Sequence, residues 1–304
     1  IFLETATLED LKGANTKIEL FGQEYETPIF VAPVAYQKLV DVSGEVSTVL
    51  GANAMNISMC VSSFSSSTLE EISSYATSPL WFQLYIQPDM NTNLKLIKKA
   101  ENLGFKALVI TIDAPISGIR NTEQRAGFCL PNGISAVNIK NPIQTNTNFE
   151  NVFDVVSSLP TWKDIEFIKQ NTKLPVILKG ITSASYAKKA IELRIDGIIV
   201  SNHGGRTIDT LPSTIELLPK IAKAVENKIP ILLDGGIRRG SDIVKAIALG
   251  ASAVMIGRPI MYGLATAGAL GVAHTLKILK EELEVSMIFT GCKNIETIKA
   301  LNLG

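Results

Sequence analysis

The feature that most constrains this chain is an alternation of short apolar runs with longer amphipathic stretches. Eight runs have strand length and are nearly uniformly apolar, which is the pattern of parallel strands buried on both faces. These runs are Ile29–Pro33, Ile57–Val61, Leu80–Ile86, Ala107–Asp113, Pro175–Gly180, Asp196–Asn202, Pro230–Gly236 and Ala253–Pro259. Helical spacing of apolar residues, at i, i+3 and i+4, recurs between them in Leu94–Leu103, Ala184–Leu193 and Asp242–Gly250.

Eight strand-helix units in succession favour an α/β fold, a closed (β/α)8 TIM barrel. An open doubly wound sheet is the alternative, but it does not account for eight consecutive units. The alternation of strand and helix patterns is interrupted once, by residues 114–160, which lack strong periodicity and are rich in Asn, Pro, Thr and Ser. A long segment of this kind inside a barrel is usually a functional lid or loop. We therefore predict one barrel domain over residues 1–304, with a long loop insertion after strand 4 that covers one end.

Composition restricts the class of partner. Hydrophobic residues make up 46% of the chain, and 29 basic residues balance 29 acidic ones, so nothing favours nucleic acid or an anionic membrane. No apolar run reaches the ~18–20 residues of a membrane span. The three scattered cysteines, Cys60, Cys129 and Cys292, argue against a disulfide framework or a structural metal site and favour a reducing, cytoplasmic compartment. The N-terminus lacks a methionine and a signal-peptide pattern, so we expect the chain to begin inside a longer sequence.

Polar and glycine residues gather where the predicted strands end, which is where the loops of such a barrel converge. A lone Gln or Thr there could be a satisfied core group, but a buried Lys179 would need a partner. Suitable groups at all eight strand ends together favour a ligand site. The strand ends are Pro33-Val34-Ala35, Ser62-Ser63, Gln83 with Tyr85, Thr111 with Asp113, Lys179-Gly180, Ser201 to Arg206, Asp234 to Arg238, and Gly257-Arg258.

The last two strand ends indicate a phosphate site. They read Asp234-Gly-Gly-Ile-Arg238 and Ile256-Gly-Arg258. Glycines let backbone N–H groups approach a phosphate closely, and arginines donate charge-assisted hydrogen bonds to it. The alternative is that the glycines merely turn the chain, which leaves the two arginines unexplained.

One of the two histidines lies at a strand end. His203 follows Asn202, and Arg206 is one short turn away. In this arrangement the arginine can hold a substrate carboxylate while the imidazole removes a proton. Asp113, at the end of the fourth strand, could orient the imidazole and stabilise its protonated form. The other histidine, His274, lies in an apolar helical stretch after the barrel, where a structural role suits it better.

At Ser201-Asn-His-Gly-Gly-Arg206 the sequence resembles the FMN-dependent L-2-hydroxy-acid oxidase and dehydrogenase family, which includes glycolate oxidase, lactate oxidase, flavocytochrome b2 and mandelate dehydrogenase. Further motifs follow the family's order, namely Trp81-Phe-Gln-Leu-Tyr85, Leu178-Lys-Gly180, Asp234-Gly-Gly-Ile-Arg-Arg-Gly240 and Ile256-Gly-Arg-Pro259. The resemblance implies bound FMN and oxidation of a small L-2-hydroxy acid, lactate or glycolate, to the 2-oxo acid. It also implies O₂ as electron acceptor, H₂O₂ as product, no metal, and a homo-oligomer, often a tetramer.

The resemblance further implies a role for each strand-end residue. The cofactor-binding residues would be Pro33, Val34 and Ala35 along the flavin, Ser62, Gln83 and Thr111 hydrogen-bonded to its ring, Ser201 near the ribityl chain or the ring, Asp234 at the ribityl hydroxyls, and Gly235, Gly236, Arg238, Gly257 and Arg258 at the phosphate. Lys179 would lie at the N1/O2 edge of the ring, where its charge stabilises the reduced form. The substrate carboxylate would be clamped by Arg120 and Arg206, and Tyr85 would lie near the substrate hydroxyl. His203 would take the proton, with Asp113 paired to it.

The chain departs from the family pattern at several positions. Members normally carry a longer N-terminal segment with a tyrosine that contacts the substrate carboxylate, and this sequence has no counterpart. Val34 replaces a common threonine, and Asp41-Val42 replaces a His-Pro pair. Phe64 stands where glycolate oxidases have a tryptophan, which leaves the side-chain preference open. The stretch from Arg125 to Pro131 is similar to bacterial lactate-oxidase-like members and favours short aliphatic substrates.

Other functions remain open from the sequence. A dehydrogenase that passes electrons to a quinone or cytochrome ranks second, because nothing like a haem domain is present and residues 114–160 lack a long apolar membrane anchor. A flavin- or phosphate-binding barrel without catalysis is suggested by the N-terminal departure and by Val34. Phosphate-binding isomerases and nucleotide dehydrogenases are a third class. A barrel that only binds a ligand would not need a base and a pair of arginines for a carboxylate. The presence of His203, Arg120, Arg206, Tyr85 and Lys179 therefore argues against a barrel without catalysis.

Overall fold

Eight parallel strands close into a barrel in the computed structural model, which describes residues 1–140 and 152–304. In chain order the strands are β1 (Ile18–Leu20) and β2 (Gln23–Tyr25), which form an antiparallel hairpin, and then the barrel strands β3 (Ile29–Val31), β4 (Ser58–Ser62), β5 (Leu80–Leu84), β6 (Ala107–Thr111), β7 (Val176–Ile181), β8 (Gly197–Val200), β9 (Ile231–Asp234) and β10 (Ala253–Ile256). Each barrel strand pairs with the next, and β10 closes onto β3. The predicted (β/α)8 barrel is confirmed, and each predicted run overlaps one strand.

Helices follow the barrel strands and pack around them. They are α1 (Glu45–Ala54), α2 (Leu69–Tyr75), α3 (Met90–Asn102), α4 (Asn121–Arg125), α5 (Trp162–Gln170), α6 (Ala184–Glu192), α7 (Thr214–Val225), α8 (Gly240–Ala248), α9 (Arg258–Phe289) and α10 (Ile295–Lys299). The three helical patterns in the sequence correspond to α3, α6 and α8, and Gly250, with φ +109°, lies just past the end of α8 as a terminating glycine should. The helical stretch expected around His274 belongs to α9, which bends at Ala267 and Gly268, whereas no sequence pattern predicted the N-terminal hairpin or the full length of α9.

The interior of the barrel is apolar at its N-terminal end. The inward side chains include Phe30, Cys60, Trp81, Val109, Ile177, Ile199, Leu232 and Met255. The hairpin closes this end, because the Tyr25 hydroxyl accepts a 3.0 Å hydrogen bond from the Trp81 indole N–H. Side chains alternate along a strand, so the inward position two residues further on lies at the opposite, C-terminal mouth. Those positions are Ser62, Gln83, Thr111, Lys179, Ser201 and Asp234.

The predicted insertion follows β6. Its described parts contain α4 and a 3-10 helix over Val152–Ser158, while residues 141–151 lie outside the described residues. Asn138 donates hydrogen bonds to the Ser65 hydroxyl at 2.8 Å and to the Ser67 carbonyl at 3.1 Å. The insertion is thereby attached to the loop that follows β4, beside the barrel mouth. Among the described helices, none is long and apolar enough to cross a membrane.

Candidate active site

A chain of buried polar side chains crosses the mouth of the barrel from β4 to β6. The Ser62 hydroxyl donates to Gln83 Oε1 at 3.1 Å, and Gln83 Nε2 donates to Thr111 Oγ1 at 2.9 Å. Strand register explains the contact, because Ser62 pairs directly with Gln83 across β4 and β5. The three residues predicted to contact a flavin ring therefore form one hydrogen-bonded row.

A buried ion pair continues this row across β7 and β9. Lys179, which is only 4% exposed, lies with Nζ 3.1 Å from Asp234 Oδ2 and donates to Ser201 Oγ at 3.0 Å. Burial alone would lower the pKa of Lys179, but the charges of Asp234 and Asp113 outweigh it and raise the pKa above its usual range. A buried lysine needs a partner, and here that partner is the carboxylate of Asp234 at another strand end, beside which Lys179 stays protonated.

His203 is held between two groups that fix the orientation of its ring. Its Nδ1 lies 2.9 Å from Asp113 Oδ1, and its Nε2 lies 3.2 Å from the Tyr85 hydroxyl. The backbone of His203 has φ 56°, and its N–H donates to Ser201 Oγ at 3.1 Å. With the Nδ1 proton donated to the carboxylate, Nε2 carries the lone pair. This is the geometry of an oriented general base.

Asp113 remains an anion although it is mostly buried. Burial would raise the pKa of Asp113, but the hydrogen bond from His203 and the charge of Lys179 lower it below its usual value. Its Oδ2 is buried and has no hydrogen-bond partner among the described residues. Gly180 makes the approach possible, because a Cβ there would lie 2.6 Å from the Asp113 side chain and the backbone φ is +105°.

Aromatic side chains form a wall beside the imidazole. The ring centroids of Phe64 and Tyr85 are 4.7 Å apart, and those of Tyr36 and Phe64 are 6.2 Å apart. Burial raises the pKa of Tyr85 to about 12, so its hydroxyl stays protonated at neutral pH. The wall gives the site an apolar surface on which a substrate side chain can pack.

The two predicted clamp arginines come together above the histidine loop. Arg120 Nη1 lies 3.0 Å from Glu123 Oε2, and Arg206 Nη2 lies 2.8 Å from Glu123 Oε1. The Nε of Arg120 is buried without a hydrogen-bond partner in the part of the chain that the structure describes. A donor left in this state is suited to an incoming anion, because a buried N–H without an acceptor is costly.

A cavity of about 480 Å³ lies beside the ends of β8 and β9. Its lining includes Gly204, Gly235, Gly236, Lys245 and Arg258. The Arg258 guanidinium is fixed by a 3.0 Å hydrogen bond to the Gly204 carbonyl, and a Cβ on Gly236 would meet no atom within 4 Å. Exposed glycine backbone and two cations suit a phosphate group.

The remaining predicted cofactor residues lie around the same mouth. Arg238 lies in an exposed turn next to the cavity, where its Nη1 donates to the Ile237 carbonyl at 3.0 Å. Pro33, Val34 and Ala35 form a half-buried loop after β3. Gly257 is the N-cap residue just before α9, and a Cβ there would lie 3.8 Å from the Ala32 Cβ.

These groups fit an elongated cofactor such as FMN. A planar ring system that carries amide-like edges matches the row of hydroxyl and amide groups beside the Lys179 cation. A terminal phosphate matches the cavity with its glycine backbone and Arg258. The ring and phosphate ends of one ligand thus find complementary partners on neighbouring strand ends.

Three residues around the site did not stand out in the sequence. Glu123 bridges the two arginines, Tyr36 extends the aromatic wall, and Lys245 lines the cavity from α8. Each looked like an ordinary helix-surface or core residue, and no spacing linked it to the strand ends. His274 is exposed on α9 and takes part in none of the contacts given for the site.

We expect Arg258→Ala to weaken FMN binding by ~10–100-fold, because it removes a charge-assisted hydrogen bond to the phosphate. Riboflavin lacks the phosphate, so its affinity should change by less than about threefold. Titration of apoprotein with both flavins, followed by flavin fluorescence, measures the difference. Arg239→Ala is the matched control, because that exposed guanidinium pairs with Glu282 instead. Equal losses for both flavins would remove Arg258 from the phosphate site.

Comparison with known proteins gives consistent similarities over nearly the whole chain. A sequence model of the FMN-dependent dehydrogenase family matches residues 1–303. A 2-hydroxyacid oxidase from Dictyostelium discoideum is 43% identical over 302 residues, covering 98% of this chain and 78% of that protein. An L-lactate oxidase from a Nostoc species is 38% identical over 310 residues, covering 98% and 85% of the two chains. The solved structure of a mandelate oxidase variant with (S)-mandelic acid has a TM-score of 0.92 and 38% identity, covering 100% of this chain and 86% of that one.

Proposed function

The chain belongs to the FMN-dependent dehydrogenase family, and on this premise we propose that it oxidises a small L-2-hydroxy acid, lactate or glycolate, to the 2-oxo acid. O₂ is the electron acceptor and H₂O₂ the second product. The observation that carries the proposal is the His203 imidazole, oriented by Asp113 and placed beside Tyr85. An oriented base, an arginine pair and a buried lysine at one barrel mouth together suit an anionic substrate that must lose a proton during oxidation.

The arginine pair binds the substrate carboxylate. Arg120 offers its buried Nε–H, and Arg206 offers the guanidinium N–H groups that Glu123 leaves free. Two guanidinium groups fix both the position and the orientation of a carboxylate, because each presents donors in a rigid plane. The substrate hydroxyl then faces the Tyr85 hydroxyl and His203 Nε2.

The proton moves to His203 Nε2, which carries the lone pair. Asp113 stays ionised because its pKa is lowered, so it stabilises the imidazolium that forms. Lys179 keeps its proton because its pKa is raised, and it maintains positive charge at the mouth throughout the reaction. When bound, FMN supplies the two-electron redox chemistry that no side chain of the protein provides.

Two side-chain features favour a short aliphatic substrate. Phe64 packs against Tyr85, and the Tyr85 ring stacks against the imidazole of His203. The aromatic wall is apolar, so it accommodates hydrogen or a methyl group without desolvating a polar substituent.

Steady-state assays with lactate, glycolate and mandelate test the function. We expect one H₂O₂ and one 2-oxo acid for each O₂ consumed, with higher kcat/KM for lactate or glycolate than for mandelate. Dye reduction with little H₂O₂ would instead indicate a dehydrogenase with a quinone or cytochrome acceptor. No oxidation of any of the three acids by FMN-loaded protein would contradict the proposal and favour a flavin-binding barrel without catalysis.

We further propose that the protein forms a homo-oligomer, with a tetramer as the expected state, and that it acts in the cytoplasm. Exposed apolar side chains on the second half of α9, including Ile278, Val285 and Phe289, support an assembly surface. Light scattering on the purified protein measures the mass, and a monomer at micromolar concentration would contradict the proposed oligomer.

Cell fractionation tests the proposed cytoplasmic location.

A further inference from the structure

One carboxylate, Glu123, lies between the two arginines of the candidate active site. It is the third residue after Arg120, so the two side chains share one face of α4, while Arg206 comes from the loop after β8. The exposed fractions of the Arg120, Glu123 and Arg206 side chains are 37%, 36% and 47%. A half-exposed ion pair adds little to stability, so the significance of this bridge lies in its geometry.

The bridge uses only part of each guanidinium group. Arg120 contributes Nη1 and Arg206 contributes Nη2, each to a different oxygen of the same carboxylate. The buried Arg120 Nε–H keeps no partner among the described residues and stays available. Glu123 therefore accepts from Nη1 of Arg120 and Nη2 of Arg206 and leaves the Nε–H of Arg120 free for an anion. It does not compete with the substrate carboxylate for that donor.

The backbones that carry the arginines also touch. A Cβ on Gly118 would lie 2.6 Å from the Arg206 carbonyl oxygen and 2.5 Å from that of Thr207. Because the two loops approach this closely, the guanidinium groups are brought together, where they repel each other unless an anion lies between them. Partial burial would raise the pKa of Glu123, but hydrogen bonds from Arg206 and Arg120 lower it, so the required negative charge persists.

We propose that Glu123 is a positioning residue that holds Arg120 and Arg206 in the arrangement that receives the substrate carboxylate. It links the β6 loop to the β8 loop and cancels part of the repulsion between the two cations. The inference rests on the proposed function, because it assigns the arginine pair to a hydroxy-acid carboxylate. Glu123 acts on substrate binding and leaves the proton transfer to His203.

Glu123→Gln in the FMN-loaded protein tests this role. Glutamine keeps the size of the side chain but offers only one acceptor oxygen. Its amide N–H groups would face the second guanidinium, so it can accept a hydrogen bond from only one of the two arginines. We expect KM for the hydroxy acid, and Kd for oxalate measured by perturbation of the flavin spectrum, to rise roughly tenfold, the scale of a lost charge-assisted hydrogen bond. At saturating substrate, kcat should change by less than about threefold, since the base is untouched.

Controls separate this inference from the function on which it rests. Glu281→Gln removes a carboxylate from an exposed ion pair on α9 and should leave KM, kcat and oxalate binding unchanged. An unchanged or lower Kd for oxalate in Glu123→Gln, with an active parent protein, would overturn the positioning role alone. A parent protein that oxidises no 2-hydroxy acid would overturn the proposed function instead.

Discussion

His203→Gln is expected to lower kcat by ~10²–10⁴-fold, the range that general-base catalysis contributes. Nε2 of His203 lies 3.2 Å from the Tyr85 hydroxyl, and Nδ1 lies 2.9 Å from Asp113. Glutamine can still donate an N–H to the carboxylate, but its amide nitrogen is not basic. Stopped-flow measurement of flavin bleaching under anaerobic conditions isolates the step that should slow.

The variant should remain yellow and should still bind oxalate with nearly unchanged affinity. We expect flavin binding to depend on Lys179 and the polar row, and oxalate binding on the arginine pair, none of which is altered. A colourless variant would mean that the histidine loop supports flavin binding, and a fully active one would remove His203 from the mechanism.

Lys179→Met is expected to have the largest effect on stability. It removes the cation from a pair whose two side chains are 5% and 9% exposed, and it leaves Asp234 as a buried carboxylate without its counter-charge. Breaking such a pair typically costs ~3–5 kcal/mol, which lowers Tm by roughly 6–20 °C on the scaling for domains of 150–250 residues. Thermal melts of the variant and parent, both as apoprotein, measure this loss.

The double variant Lys179→Met/Asp234→Asn serves as the matched control. It removes the unpaired charge as well, so it should recover more than half of the lost Tm. Both variants should lower the reduction potential of bound flavin by tens of millivolts, since about 30 mV corresponds to about 1.4 kcal/mol for a two-electron couple. An unchanged potential in both would contradict the assignment of Lys179 to the flavin, and a parent-like Tm in the single variant would contradict the buried pair.

The barrel could be predicted from the sequence because its strands are buried on both faces. Their apolar runs stand out from the amphipathic helices, and two-residue alternation then places Gln83 and Lys179 inward at the mouth. His203 and Asp113 follow strands in the same way, and the structure brings their side chains within 2.9 Å of each other. Where the sequence predicts a strand, it therefore also predicts which side chains lie at the C-terminal mouth of the barrel.

The features that sequence reasoning missed depend on contacts between loops. Glu123 looks like a surface residue of a short helix, and only the meeting of the β6 and β8 loops makes it a bridge. Lys245 similarly belongs to the outer layer by its helical pattern, and the cavity beside it is formed by the neighbouring strand ends. Pairing of this kind is set by tertiary geometry, which no local spacing encodes.

The visible absorption spectrum of FMN-loaded protein, recorded before and after anaerobic addition of L-lactate or glycolate, shows whether the bound flavin is reduced by a 2-hydroxy acid. We expect flavin peaks that bleach with the substrate, persist with D-lactate, and return when air is admitted. Peaks that persist with both substrates and with mandelate would contradict 2-hydroxy-acid oxidation at this site. A protein that takes up no FMN would contradict the assignment of the strand ends themselves.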